Sequence, residues 1–360
     1  MSEAATTSDA WSSVPGQERA VAQLRAAVAD PVHAYLFIGP PGSGKETAAR
    51  VFGGELLAAA TDDPHDAARH RELAALDQHP DISVIRREGA SIRVEQASEI
   101  VRQASLKPIE GSRKVLVLDE FHLVADATAG KLLKTIEEPP GGTIFVVLAD
   151  DLPDELVTIA SRCVQVEFPA LTAAAVADVL VGEGLDAEAA GKIAEAAHGD
   201  LDRARLLASD ERVALRLAAW AAIPARLDGT GATVAEIVAE RRADIDDAAG
   251  PLQAQQAQEV EALNERIERY GQRGSGARVL DERHKRQLRR LRTDELRMGL
   301  AELAHAYRAA LVGDPGAPAG IDADAAGAAL DRIWRAIDAL VRNPNEELLL
   351  QALLLDLPSR

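Results

Sequence analysis

Short apolar runs alternate with helical periods through the first half of the chain. Residues 34–38 (AYLFI), 82–86 (ISVIR), 114–118 (KVLVL), 143–149 (TIFVVLA) and 164–168 (VQVEF) read as strands. A helical stretch follows the first strand to about Ala60. Residues 94–105 form a second helical pattern, with Val94, Ala97, Ile100, Val101 and Ala104 on one face. Residues 125–137 form a third, which stops at Pro139-Pro140. Near-continuous apolar strands separated by helices predict a parallel sheet covered on both faces. After Pro169 the strand pattern ends. Residues 171–210 read as three short helices, broken near Gly182-Glu183-Gly184 and at His198-Gly199-Asp200, and 211–360 read as helix with Gly-rich breaks at 228–231, 271–276 and 313–320. The pattern predicts an α/β domain at 1–168, a small helical lid at 169–210 and an all-helical domain at 211–360.

Composition narrows the function. The chain has 360 residues and a formal net charge of -18, which argues against a protein that coats DNA by charge. Aromatic residues are 3 %, too few for a stacking platform for single strands. The single cysteine, Cys163, excludes an internal disulfide and a thiolate zinc site. No apolar run approaches the ~18 residues of a membrane span. The N-terminus lacks the basic start and apolar core of a secretory signal, so a cytoplasmic protein is expected.

The strongest motif is Gly39-Pro40-Pro41-Gly42-Ser43-Gly44-Lys45, which follows a strand and opens a helix. In that setting backbone N–H groups curl around a β-phosphate, the helix N-terminus adds positive potential, and Lys45 would reach the β/γ-phosphates. The next position calls for a Mg²⁺-binding hydroxyl; here it is Glu46, with Thr47 about 100° further round the helix. ATP with Mg²⁺, or a loop that keeps its shape without its ligand, both fit these residues. Asp119 and Glu120 end the apolar strand 114–118 in the Walker B manner, where the Asp holds Mg²⁺ and the Glu polarises the attacking water. Arg162, in Ser161-Arg162-Cys163, stands just before the last strand, where an arginine can project toward a neighbour's nucleotide. An ordinary surface arginine is the plainer alternative.

These residues resemble the delta-prime family of bacterial DNA polymerase III clamp-loader subunits, within the AAA+ group. The matching stretches are Val14-Pro15-Gly16-Gln17, His33 to Phe37 leading into the P-loop, His79-Pro80-Asp81, Ser105 to Pro108 and the strand before Asp119-Glu120. They continue with Leu132 to Pro140 (LLKTIEEPP), Ser161-Arg162-Cys163, Gly199 to Ala204 and Asn343-Pro344-Asn345. The resemblance implies a circular pentamer that loads a sliding clamp onto primed DNA, with gamma/tau and delta subunits as partners. It implies a rigid stator whose Arg162 serves the ATP site of the adjacent subunit, a lid sensor at Arg203, and an adenine-side border at Gly16 and Gln17. A catalytic gamma/tau-like subunit is the alternative; a stand-alone P-loop kinase is disfavoured because no substrate-binding acid/base set accompanies the loop. Three departures bear on activity. Glu46 replaces the metal-binding hydroxyl, and Asp150 stands where the family's sensor after the fourth strand is Thr or Asn. The stretch 61–78 lacks the cysteines of the family's zinc module, and His65 and His70 do not share a helix face, so a solvated helical linker without zinc is expected there.

Residues 278–297 carry eight basic residues against four acidic ones, a local +4. A phosphate-facing helix is one reading. The favoured one is a solvated helix paired with Glu259, Glu261, Glu265 and Glu268 across a hairpin that turns at 271–276. The leucine-rich end, 348–357, predicts an apolar helix that packs the C-terminal domain or an inter-subunit collar.

Overall fold

The computed structural model describes residues 9–89, 91–92, 94–124, 126–153, 156–209, 211–270, 275–312 and 320–358. Two compact units make up the chain: Met1–Arg87 with Ile92–Asp210, and Glu88–Ser91 with Glu211–Arg360.

The first unit is built on a parallel five-stranded sheet. Its strands are β1 (Ala34–Ile38), β2 (Ile82–Ile85), β3 (Lys114–Leu118), β4 (Thr143–Ala149) and β5 (Val164–Glu167), in the order β2-β3-β4-β1-β5. Strand alternation divides the apolar residues between two buried faces. Tyr35, Phe37, Val115, Val117, Val146, Leu148 and Val166 join one core with α1 (Glu18–Ala29) and α2 (Lys45–Ala58). Leu36, Leu116, Leu118, Phe145 and Val147 join the other with α4 (Val94–Ala104), α5 (Asp126–Glu137) and the short α6 (Val157–Ala160). The sheet is therefore covered on both sides, as its continuous apolar runs require.

The linker expected at 61–78 differs from the expectation. Its helix, α3 (Pro64–Ala75), starts on an Asp63 cap that accepts from the His65 N–H at 2.8 Å, and it packs on α2 rather than standing in solvent. Gly54 allows the approach, since a Cβ there would lie 2.8 Å from that of Ala74. The packing buries His70. The lid segment forms α7 (Ala173–Gly182), α8 (Ala187–Ala197) and α9 (Leu201–Ser209), around a small core of Leu171, Val176, Leu180, Ala190 and Ala194.

The second unit is helical: α10 (Glu211–Ala221), α11 (Ile223–Arg226), α12 (Gly231–Tyr270), α13 (Ser275–Val312), α14 (Ala323–Ala339) and α15 (Glu346–Asp356). Gln256 Nε2 donates to the His284 carbonyl at 3.2 Å, Arg283 pairs with Glu259, and Arg292 pairs with Asp246. Partners thus descend along α12 as they ascend along α13, so the two helices are antiparallel. Residues 271–274 of the expected turn, and 313–319 of the next break, lie outside the described residues. Arg289 and Arg292 also pair with Glu346 of α15, while Lys285, Arg278 and Arg290 pair with Asp281, Glu282 and Asp294 one turn away. The basic face of α13 is therefore matched by acids, as the favoured reading expected. Most of them, however, come from α13 itself, α15 and Asp246; from the expected acidic stretch Glu259 takes part, and the Glu268 side chain lies outside the described residues. Leu350, Leu353, Leu354 and Leu357 pack into this unit's core, leaving Leu348 and Leu355 exposed. Among the described residues no helix is long and apolar enough to cross a membrane.

Candidate functional site

The P-loop connects β1 to α2. Its glycines are needed for different reasons: a Cβ on Gly39 would sit 2.0 Å from the Phe168 carbonyl oxygen, and Gly42 and Gly44 hold φ of +65° and +86°. Gly44 caps α2, which begins at Lys45. Gln17, buried, donates from Nε2 to the carbonyls of Ser43 and Pro169, both at 2.8 Å, and so ties the loop to the chain entering the lid. The lid presses on the loop itself. The Leu201 N–H donates to the Gly42 carbonyl at 3.2 Å, and a Cβ on Gly42 would meet the Asp200 carboxylate at 1.9 Å. Asp200 caps α9 by accepting the Arg203 N–H at 2.9 Å, and burial pushes its carboxyl upward. Arg203, expected as a lid sensor, lies buried in the first turn of α9.

Parallel strands bring Lys45, Glu46, Asp119, Glu120 and Asp150 to one end of the sheet, at or just beyond the C-terminal ends of β1, β3 and β4. Each of them is engaged. Lys45 Nζ donates to the carbonyls of Gly39 (2.8 Å) and Pro40 (3.1 Å) and to Asp150 Oδ1 (2.6 Å). The other oxygen of Asp150 lies 3.3 Å from His122 Nε2, while the Asp150 N–H donates to His122 Nδ1 at 3.1 Å. That second bond leaves the proton on Nε2, facing the carboxylate. Thus Asp150, expected as a poor phosphate donor, is the anion that holds Lys45.

Glu46 meets a residue that the sequence reading passed over. Arg86, one residue beyond β2, donates to Glu46 Oε1 at 2.6 and 3.2 Å and lies 3.3 Å from Asp119 Oδ2. Burial raises Glu46, but the bond to Arg86 and its charge outweigh that and hold the carboxyl below its ordinary range. Asp119 goes the other way: burial, then the charge of Glu46, pushes it up to about 7. Glu120, at a left-handed φ of 51°, pairs at 2.9 Å with Arg87, whose side chain is fully enclosed. The carboxylate oxygens suit Mg²⁺ by type, but the place of the ion is taken by Arg86. Glu46 and Asp119 occupy the two positions that hold the ion in a working P-loop NTPase, and both are engaged by one guanidinium.

Arg162 is placed elsewhere. It precedes β5, and Val164 pairs with Tyr35 near the start of β1. Parallel pairing puts Arg162 at the N-terminal end of the sheet, with the length of β1 between it and the P-loop, roughly 16 Å at the strand rise. Its guanidinium lies 3.0 Å from Glu137 Oε2 and donates to the Thr158 carbonyl at 2.8 Å. Glu137 also lines an open cavity of about 370 Å³, with Val32, His33, Arg113, Pro139 and Thr143. Cys163 is half-buried, and burial pushes its thiol up to about 12.

His70, His79 and Glu110 place ligand atoms within 4.8 Å of one another. The Asp81 N–H donates to His79 Nδ1 at 3.0 Å, so the His79 proton sits on Nε2, and that nitrogen lies 2.7 Å from His70 Nδ1. The facing nitrogens are bonded to each other through that proton, and Arg69 holds Glu110. The cluster pins α3 to the His79–Asp81 turn.

Comparison with known proteins shows what the chain is similar to. Residues 16–172 match the family model described as "DNA polymerase III, delta subunit". The chain is 32 % identical over 214 residues to DNA polymerase III subunit tau/gamma of Haemophilus influenzae, covering 57 % of this chain and 31 % of that protein. It is 35 % identical over 147 residues to DNA polymerase III subunit delta' of Pseudomonas aeruginosa, covering 40 % of this chain and 45 % of that protein. The matches thus span less than half the length of these two relatives. Among solved structures, a gamma subunit-related protein of DNA polymerase III from Thermotoga maritima aligns with a TM-score of 0.42 at 16 % identity, over 93 % of this chain and 97 % of that one. Residues 16–172 are thus similar to DNA polymerase III subunits, and relatives named delta' and tau/gamma both match.

Proposed function

We propose that this chain is a delta'-like stator of the DNA polymerase III clamp loader. In this reading it acts in the cytoplasm beside gamma/tau and delta subunits and supports loading of the sliding clamp on primed DNA. It turns over little ATP itself and lends Arg162 to the ATP site of an adjacent subunit. One observation carries the reading: the P-loop end of the sheet is closed by its own ion pairs, whereas Arg162 stands at the other end, out of reach of its own P-loop. An arginine so placed serves catalysis only in trans, where it neutralises charge developing at a γ-phosphate.

The experiment is reconstitution with gamma/tau and delta, with Arg162→Ala beside the native chain. An arginine finger is worth roughly 10³-fold or more in turnover. The ATP site facing Arg162 is expected to lose about that factor in single-turnover hydrolysis while the complex still assembles by size-exclusion chromatography. Unchanged hydrolysis overturns the assignment. A gamma/tau-like ATPase is the second reading, favoured by the 214-residue match to the tau/gamma protein and by the complete GPPGSGK loop. It predicts robust Mg²⁺-dependent hydrolysis by the isolated chain; the stator reading predicts none.

A further inference from the structure

We infer that the P-loop is self-liganded: Asp150 stands in for the phosphate that Lys45 would meet, and Arg86 stands in for the divalent cation that Glu46 and Asp119 would hold. A magnesium–nucleoside triphosphate brings two things to a P-loop, anionic oxygens against the loop lysine and a cation against the hydroxyl and the Walker B aspartate. Here both positions are taken by side chains of matching sign. Asp150 Oδ1 lies 2.6 Å from Lys45 Nζ, and Arg86 lies 2.6 Å from Glu46 and 3.3 Å from Asp119.

The substitutions also explain each other. A carboxylate at position 46 repels a triphosphate, but it is the natural partner of a guanidinium. An acid at position 150 repels a γ-phosphate, but it is the natural partner of Lys45. His122 fixes the second oxygen of Asp150, so the stand-in anion is oriented before any ligand arrives. The two departures from the P-loop pattern are therefore one internal circuit.

The circuit has a mechanical counterpart. The loop is already clasped by the lid through Leu201 and Gly42, and through Gln17 to Pro169. A loop whose charges are satisfied internally keeps this arrangement without a nucleotide. A triphosphate entering it has to break the Lys45–Asp150 pair, and a metal ion has to displace Arg86.

The inference deepens the stator reading and rests on it for the identity of the loop, but its test leaves Arg162 untouched. The full-length chain is titrated with ATP by calorimetry, with and without Mg²⁺, alongside Asp150→Asn and the triple variant Asp150→Asn/Arg86→Ala/Glu46→Thr. Circular dichroism checks that each is folded. The native chain is expected to show no saturable binding and no thermal shift with ATP, with or without Mg²⁺. Asp150→Asn is expected to gain at least ten-fold in affinity for ATP, independent of Mg²⁺. The triple variant adds Mg²⁺ dependence, and it alone binds Mn²⁺ measurably by electron paramagnetic resonance in the presence of ATP. Mg²⁺-strengthened ATP binding by the native chain overturns the inference, whatever the variants do. So do folded variants that bind ATP no better than the native chain. Failure of the Arg162 experiment with success here removes the finger and keeps the self-liganded loop; the reverse outcome keeps the finger and removes the loop.

Discussion

The two ends of the one sheet treat their charges in opposite ways. At the C-terminal end Lys45, Glu46, Asp119, Glu120 and Asp150 are paired within the unit, and two of the three cations there are buried: the Lys45 side chain is 10 % exposed and that of Arg87 is 0 %, whereas Arg86 is 37 % exposed. At the N-terminal end Arg162 is 35 % exposed and leans on Glu137, itself 52 % exposed. Breaking a buried pair strands a charge in low dielectric and costs about 3–5 kcal/mol, whereas an exposed pair is worth about 0–1 kcal/mol. Charges of the first kind are committed to the fold. A charge of the second kind is available to something outside it.

The hardest test of this contrast is Glu120→Ala. It removes the Glu120 carboxylate from the enclosed Arg87, while the left-handed backbone at position 120 stays strained. A loss of about 3 kcal/mol in urea unfolding is expected. A loss under about 1 kcal/mol would mean that Glu120 is not committed to the fold, and the comparison between the two ends would break.

A smaller effect lies in the pH profile. Burial and the charge of Glu46 lift Asp119 to about 7, whereas the unfolded chain has the ordinary carboxylate value of 3.8. Between those values the folded state carries a proton that the unfolded state lacks, so stability falls as pH rises through 7. The loss from pH 6 to pH 8 is about 1 kcal/mol for this group. Asp119→Asn removes it, so from pH 6 to pH 8 the native chain should lose about 1 kcal/mol of stability relative to the variant. Parallel profiles would show that Asp119 is ionised throughout.

Much of this arrangement was legible from residue order. Five apolar runs became five strands, Asp119-Glu120 followed the third of them, and the glycines of the P-loop marked a strand-to-helix turn. Position 150 was also legible as a misplaced acid, and position 46 as a misplaced carboxylate. Their partners were not legible. Arg86 looks like the polar end of ISVIR, because its contact with Glu46 spans 40 positions in the chain and joins the residue after β2 to the first turn of α2. His122 was hidden in the same way, since nothing in its neighbours says that it faces Asp150. The stretch 61–78 reads as polar because α3 hides little apolar area; Gly54 and the His70–His79 bond, both remote in pattern, draw it onto α2. In each case periodicity reported which side of an element is buried, and the unseen part was which distant side chain closes on it.

The mildest change probes the other end of the sheet. Glu137→Gln removes the charge beside Arg162 but keeps the shape of the side chain, and both groups are substantially exposed. Solvent screening and the entropy of holding two long side chains together leave such a pair worth at most about 0.5 kcal/mol, so urea unfolding should shift by no more than that. The Thr158 carbonyl still accepts from Arg162 in this variant, which keeps the guanidinium near its place. If the arginine is held only for presentation to a neighbour, the variant folds as the native chain does and the reconstituted complex retains its turnover. A stability loss above about 2 kcal/mol would make Arg162 a structural residue of its own subunit, and the difference between the two ends of the sheet would then be one of degree.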